Sequence, residues 1–404
     1  MTILQTMKIF YKKNSLKVCF LIFILLTSVL FTTGCINSEE KKVEKALLPQ
    51  IETDNSCILP DWKDGEYHDY LGTTQTLMDF NRNYPELTEL LSIGKSVLGK
   101  KIWCIKITNE KNNTNKYSCL IDGCIHGNEW EAGEACLYLA EYLLINFDKN
   151  KTVANILNSS IVYILPLLNP DGRDNDERWN ENGIDLNRNF DVHFGRIKGG
   201  SIPLGKILGF IKIPYITRPK IIEKIGLDKY VTNQFWTNSG RRAFSEPETR
   251  SLRDFMKTIG PNFSFYVNCH TALHGISSIV GISHKPEFKP TTQEINVLRS
   301  ILKWFSENTE YNIAYPDEFS FYGAGFAHHW AFKEFRVPAF CFEMLNTDYE
   351  PMFEHGKHDN LVHWMKTTIP VFMFLLINIK QLNGWQEPSI RPSLPEGIPP
   401  EPLK

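Results

Sequence analysis

Residues 117–147 read YSCLIDGCIHGNEWEAGEACLYLAEYLLINF. The opening YSCLIDG has the length and apolar texture of a buried strand. After the turn, apolar residues recur at helical spacing with acidic residues in the first turn, so a helix is expected from about Glu129. The segment is therefore a strand that enters a helix, with His126 and Glu129 in the turn between them. The rhythm repeats on either side. KIWCIKI (101–107), FSFYVNCH (263–270) and VPAFCFEML (337–345) read as further buried strands, as does SIVYILPLL (160–168), closed by a turn at NPDG. SEPETRSLRDFMKTIG (245–260) reads as a helix with Ser245 as its cap, Pro247 in its first turn and Glu248 at capping-box distance. A last helix is expected from about Asn360 to Ile379. Strands alternating with helices imply an α/β domain whose site lies beyond the strand C-termini. His126, His270 and Glu343 all fall there.

The chain has 404 residues, of which 42% are hydrophobic, enough for a substantial core, and a formal net charge of -2. That balance offers no basic excess to displace counterions, so nucleic acid is not an expected partner. Lys8, Lys12, Lys13 and Lys17 precede the uncharged run Val18 to Phe31, which has the length of a signal-peptide core and is short for a membrane span. TTGCINSEE follows, resembling a lipoprotein processing site with Cys35 as the lipidated residue; an uncleaved signal anchor is the alternative. Either way, the chain is expected outside the cytoplasm, tethered to a membrane. The expected organisation is an anchor segment over 1–35, a linker over 36–60, an α/β domain over 61–382 and a Pro-rich tail over 383–404. Residues 191–243 break the strand–helix rhythm and read as an insertion. Cys104, Cys119, Cys269 and Cys341 lie in strand-like runs and read as small hydrophobes, with no Cys-x-x-Cys pair to suggest a cysteine zinc site; a disulfide among the remainder stays open.

His126 and Glu129 alone prove little, because His284 and Glu287 repeat the spacing in HKPE. A hydrolytic zinc ion needs three protein ligands and an open position, and a separate carboxylate should stand near as general base. The histidines of EHGKHDNLVHW (354–364) could suggest a second metal site, but a polar loop leading into a helix is the favoured reading.

Companions to HGNE follow in order along the chain: NPDGRDNDERWNENGIDLNRNF (169–190), FSEPETR (244–250), VNCHT (267–271) and CFEML (341–345), with IGKSVLGKKIWCIKI (93–107) before it. This ordered set resembles the zinc carboxypeptidases, peptidase family M14, in a style similar to the regulatory-type branch. The resemblance covers roughly residues 62–380 and implies a three-layer α/β/α fold on a central, mostly parallel mixed sheet. It implies one zinc ion per chain, held by His126, Glu129 and His270. Glu343 would take a proton from the attacking water and deliver it to the leaving amine. Arg178 would stabilise the oxyanion, Asn187 and Arg188 would grip the substrate's terminal carboxylate, and Asp185 would fix the tautomer of His126. Tyr322 stands nearest the place of the family's substrate-capping tyrosine. Where many members have Asp before the Trp, this chain has His329 before Trp330, so no preferred terminal residue follows. The activity implied is removal of C-terminal residues from peptides or proteins. An amidase acting on cell-wall-type peptides and a non-catalytic peptide-binding protein are the alternatives.

Overall fold

The computed structural model describes residues 57–194, 238–271, 275–278, 289–315, 325–344 and 361–389. Within them the strands are β1 (Thr88–Lys95), β2 (Lys101–Ile107), β3 (Tyr117–Asp122), β4 (Ser160–Leu165), β5 (Phe263–Thr271), β6 (Gly275–Ser277), β7 (Asn312–Ala314) and β8 (Ala339–Met344). They form one eight-stranded sheet in the order β1-β2-β4-β3-β5-β8-β6-β7. The centre is parallel, from β4 through β3 and β5 to β8, and antiparallel pairs flank it. β5 is buried at every position, as expected for a parallel strand covered on both faces.

The helices are α1 (Tyr70–Asn83), α2 (Trp130–Asn146), α3 (Lys151–Ser159), α4 (Pro170–Asn175), α5 (Pro247–Thr258), α6 (Thr292–Asn308), α7 (Ala327–Phe335), α8 (Leu361–Ile377) and α9 (Ile379–Asn383). They cover both faces of the sheet. Cys269 and Phe342 are in-register partners and so project to one side, together with Phe340 two residues earlier. Cys136 of α2 lies against Cys269, Phe305 of α6 against Phe340, and Phe372 of α8 against Phe342. On the opposite face, Tyr163 packs edge-on against Phe255 of α5. The α/β reading and the mostly parallel central sheet are both borne out.

Three local expectations change. NPDG is the start of α4 rather than a plain turn: Asn169 caps it by accepting from the Gly172 N–H, and Pro170 occupies the first turn. The cap of α5 is Glu246, not Ser245, and it makes no side-chain capping bond. The Ser245 hydroxyl instead donates to Glu246 Oε1 at 2.6 Å, while Glu248 accepts from the Val97 N–H at 3.0 Å, tying α5 to the β1–β2 turn. The third concerns cysteine: all seven in the described residues are free thiols, so the open question of a disulfide closes there. The expected α8 lies where the sequence put it, within two residues at either end. The N-terminal apolar run, most of the insertion, and His284, Glu287, Tyr322, His355 and His358 lie outside the described residues.

Candidate functional site

The turn after β3 is shaped by close backbone approach. A Cβ on Gly127 would stand 2.1 Å from the Gly172 carbonyl carbon, so only glycine lets α4 pack against the HGNE turn. That packing holds His126 and Glu129 over the C-terminal end of the sheet. Glu129 is the N-cap residue of α2 but makes no capping bond, because its carboxylate is engaged elsewhere. Oε1 lies 2.6 Å from His126 Nδ1 and Oε2 lies 2.8 Å from His270 Nδ1. The three side chains are almost wholly buried, and their ligand atoms all lie within 4.8 Å of one another.

The far nitrogens of both rings are engaged as well. His126 Nε2 sits 3.1 Å from Asp185 Oδ1, and His270 Nε2 sits 2.6 Å from Asn268 Oδ1. An acceptor at Nε2 places the proton there and turns the Nδ1 lone pair inward. Two imidazoles with inward lone pairs and one carboxylate form a donor set suited to zinc, so these residues fit the ion.

Glu343 reaches the site through strand register. It is the in-register neighbour of His270 across the parallel β5–β8 pair, so both project from the same face. Burial and the nearby charge of Glu129 push its carboxyl well above the usual range, and Arg178 offsets this only in part. A cation at the three ligands acts in the opposite direction and favours the carboxylate.

Asp185 organises the next segment. Its Oδ1 accepts from the Asn187 N–H at 3.0 Å, capping the short 3-10 turn Leu186–Arg188. Its Oδ2 accepts from Arg178 Nε at 3.1 Å, and Arg178 also reaches Glu129 Oε1 at 3.3 Å. Burial opposes ionisation of Asp185, but the Arg178 and Arg188 charges outweigh it and hold the carboxyl well below its ordinary value. Asn187 Oδ1 accepts from the Ala327 N–H at 2.8 Å, which turns its Nδ2 toward His270. Arg188 stacks over the Phe326 ring at 4.4 Å and donates to the Asn187 carbonyl at 2.9 Å. Its Nε is buried and has no hydrogen-bond partner among the described residues. Gly325 makes room beside it, with φ +75° and a Cβ position only 2.1 Å from the Arg188 carbonyl oxygen.

Eight of the nine residues singled out in the sequence are thus gathered around one point, and Tyr322 lies outside the described residues. His363 pairs with Glu310 at 3.1 Å, while His355 and His358 of that cluster lie outside the described residues. Two further residues were passed over: Asn268, behind His270, and Asp122, behind Asn268. Both are polar residues inside otherwise apolar strands, which was a usable signal. Burial pushes the Asp122 carboxyl up to about 7, against the lowering effect of hydrogen bonds from Asn268 and Tyr266.

The zinc carboxypeptidase family model, Peptidase M14, matches residues 73–207 and 226–360. Carboxypeptidase D of Anas platyrhynchos is 33% identical over 153 residues, which cover 35% of this chain and 11% of that protein, so the chain spans only a small part of that relative. A zinc carboxypeptidase of Simulium vittatum is 24% identical over 289 residues, 66% of this chain and 82% of that protein. Among solved structures, thrombin activatable fibrinolysis inhibitor superposes with a TM-score of 0.61 at 19% identity, covering 79% of this chain and 75% of that one. Carboxypeptidase A from Helicoverpa armigera gives 0.54 at 19% identity over 78% and 74% of the two chains. These likenesses speak for the fold, and the family match spans most of the chain. With the His126, Glu129 and His270 donor set in place, the chain belongs to the zinc carboxypeptidase family, peptidase M14.

Proposed function

We propose that this protein is a zinc-dependent carboxypeptidase that hydrolyses the C-terminal peptide bond of peptides or proteins. The observation that carries the reading is the register pairing of His270 with Glu343, which sets a carboxylate beside the three-residue donor set. Zinc held by His126, Glu129 and His270 supplies Lewis acidity toward a carbonyl oxygen and lowers the pKa of water. Glu343 is the group that accepts a proton from the attacking water and carries it to the departing amine. Arg178, whose guanidinium already lies beside Glu129, offers charge to the carbonyl oxygen as it becomes negative. Arg188 and Asn187 present N–H groups to the substrate's terminal carboxylate. An internal peptide bond leaves that buried arginine unpaired, which favours an exopeptidase over an endopeptidase.

The test compares wild type with Glu343→Gln on a panel of N-blocked dipeptides, with zinc content measured on both. Equal zinc occupancy is expected, with turnover reduced by at least about a hundredfold in the variant. Comparable turnover would remove Glu343 from the mechanism, and absence of zinc from wild type would remove the metal reading itself. We infer further that the N-terminal segment tethers the protein to a membrane from outside the cytoplasm. The lysines before Val18 to Phe31 and the Gly34-Cys35 pair support this reading. Among the described residues no helix is long and apolar enough to cross a membrane.

A further inference from the structure

One face of the sheet carries a polar stripe that runs from the site into the core. Asp122 of β3 and Asn268 of β5 are in-register neighbours, and Tyr266, Asn268 and His270 alternate along β5 on the same side. The hydrogen bonds follow this line. Tyr266 Oη donates to Asp122 Oδ2 at 2.7 Å, Asn268 Nδ2 donates to Asp122 Oδ1 at 2.6 Å, and Asn268 Oδ1 meets His270 Nε2 at 2.6 Å. Asp122, Tyr266 and Asn268 are all fully buried. A buried amide and carboxylate are costly unless every group is used, and here each is.

We propose that Asp122 and Asn268 form a positioning relay that sets the tautomer and basicity of His270 as a metal ligand. The proposal rests on reading His270 as a zinc ligand. The carboxylate oxygen of Asp122 accepts, so the Asn268 amide nitrogen must face it. The amide carbonyl is thereby turned toward His270 Nε2, which must then carry the proton. His270 Nδ1 is left with its lone pair directed at the centre. When Asp122 is ionised, its charge behind the amide polarises it and strengthens the bond to the imidazole. His126 reaches the same result through direct contact with Asp185. With the Nε2 proton committed to Asn268, the Asn187 amide at 3.0 Å finds no acceptor on that ring and stays available for a substrate carboxylate.

The test measures zinc affinity by competition with a chromophoric chelator, and the thermal midpoint of the metal-free protein, on the full chain. The variants are Asn268→Leu, Asp122→Asn, and the reciprocal exchange D122N/N268D, which keeps every hydrogen bond of the line and moves the charge next to the imidazole. Zinc affinity is expected to fall by about 10- to 100-fold in Asn268→Leu and by several-fold in Asp122→Asn. In the exchange it should return to within about threefold of wild type. Unchanged zinc affinity in the single variants, even with a lowered midpoint for the metal-free protein, would show a packing role only and overturn the relay. An exchange as weak as Asp122→Asn would overturn it too, and still does so if Asn268→Leu does not fold. Failure of wild type itself to bind zinc would instead sink the reading of His270 as a ligand.

Discussion

Arg188 shows how one side chain can be committed before any substrate arrives. Its ring stacking on Phe326 and its bond to the Asn187 carbonyl hold the guanidinium plane in place, while Nε remains buried and unbonded among the described residues. An orphaned buried donor carries a desolvation cost that an incoming carboxylate would relieve. Lysine keeps the charge but lacks the planar fork that meets a carboxylate with two parallel bonds. Arg188→Lys is therefore expected to lower kcat/KM by roughly 10- to 100-fold, the worth of one charge-assisted hydrogen bond, with most of the change in KM. The preference for a free C-terminal acid over its amide should shrink in parallel. Steady-state kinetics on a matched acid and amide pair check this; an undiminished preference would move the anchoring role to another residue.

At the scale of elements, the start of α2 is held from both sides. Its N-cap residue is spent on the site, so the helix takes support from α1 and the segment before it. His68, just ahead of α1, donates its backbone N–H to Glu134 Oε1 and pairs its Nδ1 with Oε2, each at 2.7 Å. Tyr67 donates to Glu131 at 3.0 Å, and Arg173 of α4 stacks over Trp130 at 3.5 Å. The hydrogen bond to Glu134 raises the His68 pKa above its ordinary 6.5, outweighing burial. A folded-state pKa above the unfolded value stabilises fully below about pH 6.5 and loses that contribution as pH rises through the folded value. Wild type should therefore lose more stability between pH 6 and pH 8 than His68→Gln does. The difference should be under about 1 kcal/mol, since the imidazole is partly exposed. Thermal melts at the two pH values read it out, and parallel losses in both proteins would mean the pair is not felt.

For the whole molecule, the arrangement of layers explains where the chemistry stands. The parallel strands β3, β5 and β8 end side by side, and the proposed ligands and proposed general base come from those ends or from the turn just beyond. The proposed attachment to a membrane would be a separate property, carried by the first 35 residues. If Cys35 is the lipidated residue, Cys35→Ser should release the protein from the detergent phase into the aqueous phase in a Triton X-114 partition, with its peptidase activity intact. Retention of the variant in the detergent phase would favour an uncleaved anchor.

The strands, the entry into α2, and the pairing of His126 with Glu129 were legible because they depend on local periodicity and on spacing within a single turn. Arg178, Asp185, Asn187 and Arg188 were legible only as a motif, since nothing in their own spacing says which faces a metal ligand and which a substrate. The cap of α5 was misread because Ser245 and Glu248 satisfy the local pattern, yet Ser245 bonds the Glu246 carboxylate and accepts from Asn189, while Glu248 accepts from Val97. Asn268 and Asp122 were missed because they lie far apart in sequence and meet only when β3 and β5 pair in register. By itself the chain determined which segments are strands and helices and which residues could bind a metal, because both follow from side-chain chemistry and short-range periodicity. Only the tertiary structure decided which nitrogen of each histidine turns inward and that Asp122 and Asn268 stand behind His270, because strand register sets which distant residues share a face.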